Sequence, residues 1–238
     1  MKSGSKLALL AFAGAHAAFA SLIPIGPVPT SGSGLGNVLT ALTFASPGSS
    51  STETGCVGAG IGGVKITGPA ACPAGVTGGN EQAINNTYSA MFLGLTGATD
   101  FDNLQLIFNA SEPGNAADMG IVVDKLVLTL WSPTTGALLA SYSTAGPYVI
   151  LDAFPGTGNA GYGFVLDAAQ AAAANAVLTA NSNLYVGVAS NASLATGGLE
   201  TVFLRVNPAE TGVIPEPATF ALAGLALTSL ALLRRRSS

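Results

Sequence analysis

Eleven acidic residues between Ser21 and Ile214 are the chain's main stock of reactive groups, and two stretches, Asp100-Phe101-Asp102-Asn103 and Asp118 to Asp124, supply oxygen donors. Oxygen donors at such spacing suit calcium, which takes six to eight of them. No EF-hand loop or RTX nonapeptide is present, and turn capping accounts for the same acids. Paired carboxylates can also cleave glycosidic bonds without histidine, although eleven acids in a chain of this length produce close pairs by chance. Gly58, Gly60 and Gly63 satisfy G-x-G-x-x-G, but a dinucleotide site needs a strand before the motif, a helix after it and a ribose-binding acid beyond. Cys56 and Cys72 are the only cysteines. They lack C-x-x-C spacing, and in an exported chain such a pair is expected to form a disulfide.

The elements that would position these groups are mostly strands. Short apolar runs alternate with turn clusters, predicting strands over 38–44, 88–95, 104–108, 121–131, 138–143, 148–151, 162–166, 184–189 and 201–206. Ser132-Pro133-Thr134-Thr135-Gly136 supplies a hairpin turn between two of them. Both faces of Leu126-Val127-Leu128-Thr129-Leu130-Trp131 are largely apolar, the mark of a covered central strand. One helix interrupts the series. Asp167 is its N-cap with Gln170 at N3, Ala171 to Ala180 extend it, and Asn181-Ser182-Asn183 stop it. The expected fold is all-β, a single β-sandwich or jelly-roll-like domain with one short helix. Trp131, Tyr148, Tyr162 and Tyr185 are candidates for a sugar-stacking surface, although Trp131 suits the core better. Asn85, Asn109 and Asn191 head glycosylation sequons.

Both ends of the chain read as targeting segments. Lys2 and Lys6 precede the apolar run Leu7 to Ala13, and Ala18-Phe19-Ala20 has the form of a signal-peptidase site. Cleavage between Ala20 and Ser21 is expected, with Ala15-His16-Ala17 as an alternative site. The apolar stretch is shorter than the ~20 residues a spanning helix needs. Cleavage would remove His16, the only histidine. Ser-His-Asp and Cys-His catalysis, and zinc sites with a His ligand, are then excluded by composition.

At the other end, Pro215-Glu216-Pro217 is followed by an Ala/Leu-rich run and then by Arg234, Arg235 and Arg236. As a helix, residues 218–233 would span about 24 Å, slightly less than the ~30 Å hydrocarbon core. The arginines would sit in the cytoplasm by the positive-inside rule, which puts the preceding domain outside. These three elements in this order resemble the PEP-CTERM sorting signal of exported bacterial proteins. The resemblance covers only about the last 25 residues. It implies recognition of the tail by exosortase, a membrane-embedded protease, removal of the tail near the motif, and a setting of extracellular polysaccharide.

The expected organisation is therefore a signal peptide at 1–20, a flexible or extended lead-in at 21–36, a β-rich exported domain at 37–212, and the sorting signal at 213–238 with its transmembrane helix. Charged residues make up only 8% of the chain, against about a quarter in an average soluble protein. Between Ser21 and Ile214 only Lys65, Lys125 and Arg205 oppose the eleven acids, a net charge of −8. Such a surface repels nucleic acid. The chain is expected to be a surface or matrix protein that needs no cofactor and catalyses no reaction. Its expected partners are signal peptidase, exosortase, the inner membrane during transit, and exopolysaccharide. A carbohydrate-binding module is the alternative, and a carboxylate-based glycoside hydrolase the third reading.

Overall fold

A computed structural model describes residues 21–28, 39–46, 50–110, 120–150, 161–195 and 198–206. Twelve strands lie among them: β1 Leu22–Pro27, β2 Leu39–Phe44, β3 Thr52–Ala59, β4 Lys65–Thr67, β5 Tyr88–Ser89, β6 Leu104–Asn109, β7 Ile121–Trp131, β8 Leu138–Ser143, β9 Tyr148–Ile150, β10 Gly161–Leu166, β11 Tyr185–Ser193 and β12 Glu200–Val206. The one α-helix among the described residues, α1, spans Ala168–Ala180.

The strands form two antiparallel sheets. One has the order β1-β10-β6-β12-β2; the other runs β4-β3-β11-β7-β8, with β5 added to β11 and β9 to β7. Alternate side chains of each sheet point into a shared core. Leu42, Phe108, Phe164 and Val202 enter from the first sheet and Val57, Leu126, Leu128, Leu130 and Val188 from the second. Phe44 and Phe108 meet edge to face with ring centroids 6.0 Å apart. This arrangement is a β-sandwich.

The hairpin β7–β8 has the bounds expected from its sequence. Ser132 O accepts from Gly136 N, and Gly136 takes the positive φ of 69° that closes the turn. Helix α1 also begins where its cap predicts, because Asp167 Oδ1 accepts from Gln170 N at 2.8 Å. Its inner side buries Ala171, Ala174 and Leu178, and Asn175 Oδ1 receives Phe101 N from the 3₁₀ turn at Asp100–Asn103.

Three segments depart from expectation. Residues 22–27 of the expected flexible or extended lead-in are part of the folded domain as the edge strand β1, whose Leu22 is fully buried and pairs with Leu166. Pro24 and Pro27 are tolerated there because an edge strand leaves half its backbone groups unpaired, and Gly26 at φ 94° absorbs a register shift. β3 and β4 were not expected at all, since Gly55, Gly58 and Glu53 break the apolar alternation. The strand expected over 88–95 stops at Ser89. Leu93 N bonds Ser89 O and Leu95 N bonds Ala90 O, a tight turn closed by Gly94 at φ 74°.

The outer edge of β2 is not bare. Backbone bonds from Ala45 N to Asn80 O, from Gln82 N to Thr43 O and from Asn86 N to Ala41 O lay the 80–86 segment along it. Asn85 reinforces the seam, its Oδ1 accepting from Thr43 N and its Nδ2 donating to Gln82 O.

Candidate functional site

The most heavily organised local structure among the described residues is the excursion between β3 and β5, which folds back over the outer face of the second sheet. Cys56 and Cys72 are joined by a disulfide, with Cα atoms 5.2 Å apart. Beneath it, Cys56, Ala71, Val76, Val127 and Ala189 form a second, smaller core. This explains why β7 is apolar on both faces: Leu126, Leu128 and Leu130 face the sandwich core, and Val127 faces the cysteine loop. Side chains from neighbouring strands tie the loop down. Lys125 Nζ donates to Ala74 O at 2.8 Å, Asn191 Nδ2 to Gly75 O at 3.1 Å, and Thr54 Oγ1 to Asn191 Oδ1 at 2.6 Å.

Sequence reasoning missed Glu81, which anchors this loop. Its Oε1 accepts from Cys56 N at 2.7 Å and its Oε2 from Gly79 N at 3.0 Å. Two ionic hydrogen bonds to backbone amides hold the loop's end against its beginning. The only signal was a lone acid closing the run Gly78-Gly79-Asn80. Glu81 and the two cysteine sulfurs also stand close enough to suggest a metal site. The disulfide uses both sulfurs, so the group lacks the thiolates a metal would need.

Of the three motif glycines, Gly58 and Gly63 have a packing reason in place of a phosphate-binding one. A Cβ on Gly58 would stand 2.5 Å from Trp131 Cε2, and one on Gly63 would stand 2.3 Å from Tyr185 Cζ. These two glycines let two aromatic rings approach the loop closely, and the motif holds only the 3₁₀ turn Ile61–Gly63 and is followed by β4, not by the helix a dinucleotide site needs. Trp131 is buried, with its indole N–H donated to Thr129 Oγ1 at 2.8 Å. Tyr148 and Tyr162 both pack on Phe164, each with centroids 5.6 Å away. The four aromatics considered for sugar stacking therefore form no common surface.

The acids are likewise in use. Asp100 Oδ2 accepts from Thr96 N and Gly97 N, and Asp102 Oδ1 from Asn175 Nδ2 at 3.4 Å. Asp124 is exposed on β7, and Asp118 lies outside the described residues. Glu53 and Glu200 are fully buried, and Glu53 Oε1 accepts from Ser46 N at 2.7 Å. Of the sequon asparagines, Asn85 and Asn109 are buried and Asn191 is held by the two bonds above.

Ser21, on the exported side of the expected signal cleavage, is described; Ala20, Pro215, Glu216, Pro217, Arg234, Arg235, Arg236 and the expected membrane helix lie outside the described residues. Among the described residues no helix is long and apolar enough to cross a membrane. Comparison with protein families supplies the deciding observation for this end: the model of the PEP-CTERM protein-sorting motif matches residues 213–236. The chain carries a PEP-CTERM sorting signal. Pro215, Glu216 and Pro217 and the three arginines all fall inside the match, as the order of the elements led one to expect. A PEP-CTERM signal implies export, processing by exosortase and delivery to the cell surface. No curated protein and no solved structure matches the chain.

Because the disulfide closes the loop that covers one sheet, its loss should be felt by the whole domain. Closing a loop with a sequence separation of 16 contributes about 3 kcal/mol by the chain-entropy estimate. A domain of this size shifts by roughly 2–4 °C per kcal/mol. Replacing both cysteines by serine should therefore lower the melting temperature by about 6–12 °C. In the native protein without reductant neither thiol should react with a maleimide, and quantitative labelling of both would refute the bridge.

Proposed function

We propose that this chain is an exported structural or adhesive component of the cell surface or extracellular matrix, acting in an exopolysaccharide setting without catalysis of its own. A signal peptide cleaved before Ser21 starts export. The helix at 218–233 then holds the precursor in the inner membrane until exosortase cuts near Pro215–Pro217. The PEP-CTERM match carries this reading. It is supported by the disulfide, which suits an oxidising compartment. The binding role draws on a rigid loop end that presents Ile61 and Val64 to solvent, 69% and 65% exposed, with Gly62 N bonded to Pro133 O at 2.7 Å.

One surface favours the second reading, a carbohydrate-binding domain. An open groove lined by Met91, Leu95, Leu178, Thr179, Ser182 and Asn183 combines an apolar floor with hydroxyl and amide groups. Phe92, beside it in sequence, is 64% exposed and stacks on Tyr88 at 5.5 Å. A glycan array on the mature protein, with and without calcium, separates the readings. Saturable binding to one glycan class that is lost in Phe92→Ala favours the second.

Processing is tested by intact mass spectrometry of the surface fraction. The expected species begins at Ser21 and ends near Pro215–Pro217. Recovery of peptides from Phe220 to Arg236 in that fraction would contradict tail removal.

A further inference from the structure

Ser21 does more in this fold than begin it. Its backbone nitrogen donates to Asp167 Oδ2 at 2.5 Å, and its carbonyl accepts from Asp167 N at 3.3 Å. The position is imposed by the strand that follows, since Leu22 is fully buried and registered against Leu166, one residue before Asp167. The same aspartate caps α1 with its other oxygen. One carboxylate thus joins the start of the edge strand β1 to the start of the helix.

Among the described residues Asp167 has no basic side chain to balance it. The elements packed around it are β1, β10, α1 and β8, whose following residue Thr144 bridges to Leu22, and none of them carries a lysine or an arginine. The three basic residues between Ser21 and Ile214 are committed elsewhere: Lys65 to Asn85 O, Lys125 to Ala74 O, and Arg205 to Gln105 Oε1. Among the described residues, the other titratable groups on the elements packed around α1 are Asp100 and Asp102 in the 3₁₀ turn, Tyr142 on β8 and Tyr162 on β10. Two of these add negative charge.

We infer that signal removal builds an ion pair into the fold: the α-ammonium of Ser21, created when the Ala20–Ser21 bond is cut, binds the Asp167 carboxylate. The inference rests on the cleavage site proposed above. Hydrolysis consumes one water. Its oxygen joins the Ala20 carbonyl, which leaves as a carboxylate, and both its hydrogens end on the Ser21 nitrogen. An uncharged amide with one N–H becomes a cation with three, already within hydrogen-bond reach of its partner. The amide's bond to the carboxylate is already charge-assisted on the acceptor side, and the ammonium adds a full opposite charge at the same place, so that both partners are ionised. The exported chain is therefore pinned at β1 in a way that the precursor is not, and maturation tightens the edge of the first sheet.

An α-amino group ordinarily titrates at about 7.7–8.0, and an anionic partner raises that value. A raised value in the folded state gives stability that is complete below the ordinary pKa and is lost as pH rises through the folded one. Burial pushes the Tyr88 and Tyr142 phenols above their usual range, in the parent and in any Asp167 variant alike.

The test uses the mature exported protein, sequenced at its N-terminus, beside its Asp167→Asn variant, which keeps an acceptor for the helix cap. NMR titration of Ser21 should place the amine about one unit above the ordinary range in the parent and within it in the variant. Between pH 7 and pH 10 the parent's folding equilibrium should fall about tenfold more than the variant's, since the tyrosines contribute alike in both. A chain beginning elsewhere, for example at Ala18, overturns the processing site and the pair with it. A chain beginning at Ser21 whose amine titrates alike in both proteins overturns the pair alone.

Discussion

Glu216→Ala should leave export intact and block removal of the tail. A proline's φ is fixed near −65°, and the residue before a proline is disfavoured from the helical region, so the sequence Pro215-Glu216-Pro217 is expected to be extended ahead of the apolar run. A protease cleft binds such a segment with little ordering cost. Glu216 then offers a single carboxylate for a basic group of the processing enzyme to read. Unprocessed protein should accumulate in the inner membrane, and the surface fraction should fall by at least tenfold, about 1.4 kcal/mol of lost recognition. Membrane fractionation and immunoblotting of a chain with an epitope tag just after Gly36 would show it. Deleting Arg234 to Arg236 should act differently, disturbing topology through loss of the cytoplasmic charge. Normal release of the Glu216→Ala protein would mean that the motif is only a linker.

Gly187→Ala should be the most damaging single methyl group in the domain. Gly187 lies in β11 between β3 and β7, opposite Thr129. A Cβ there would stand 2.3 Å from the carbonyl oxygen of Val57 and 2.8 Å from Thr129 Oγ1. The first of these neighbours is backbone, so relief requires moving a strand rather than turning a side chain. Overpacking usually costs 1–3 kcal/mol, and a backbone overlap belongs at or beyond about 3 kcal/mol. That is a large share of a total stability of about 5–15 kcal/mol. The expected result is a melting temperature lower by about 6–12 °C with reduced export yield. Gly146→Ala is the control, because a Cβ there meets nothing within 4 Å, and surface changes of that kind stay within about 0.5 kcal/mol. Equal melting temperatures for the two variants would show that β3 and β11 approach less closely than described.

What the sequence made legible follows from how local each signal is. The β7–β8 hairpin needs only an apolar run and a turn, and the start of α1 needs only Asp167 and the alanines after it. β1 was hidden because Pro24, Gly26 and Pro27 look like linker until an edge position excuses them. β3 was hidden because its glycines are small for distant partners: Gly55 for Phe44 and Leu42, Gly58 for Trp131. Nothing near them in sequence announces those neighbours. The same holds at the candidate sites. The disulfide was legible from a cysteine count, and the sorting signal from three elements in fixed order. The anchoring role of Glu81 was not, because its meaning lies in amide groups at Cys56 and Gly79.

The treatment of the sheet margins bears on life outside the cell. With only 8% charged residues, few charged side chains are at hand to guard a strand margin, and no ATP-driven chaperone works in that compartment. An open strand margin would then be a template on which chains stack into fibrils. At one margin of the first sheet stand Pro24 and Pro27, which cannot donate to an incoming strand. At the other, the 80–86 segment already occupies the backbone groups of β2. Colloidal stability in a crowded matrix is thus written into backbone geometry, where a more highly charged protein would rely on its surface. A change of Pro24 to Val or Thr would be conservative for the fold and hazardous for solubility.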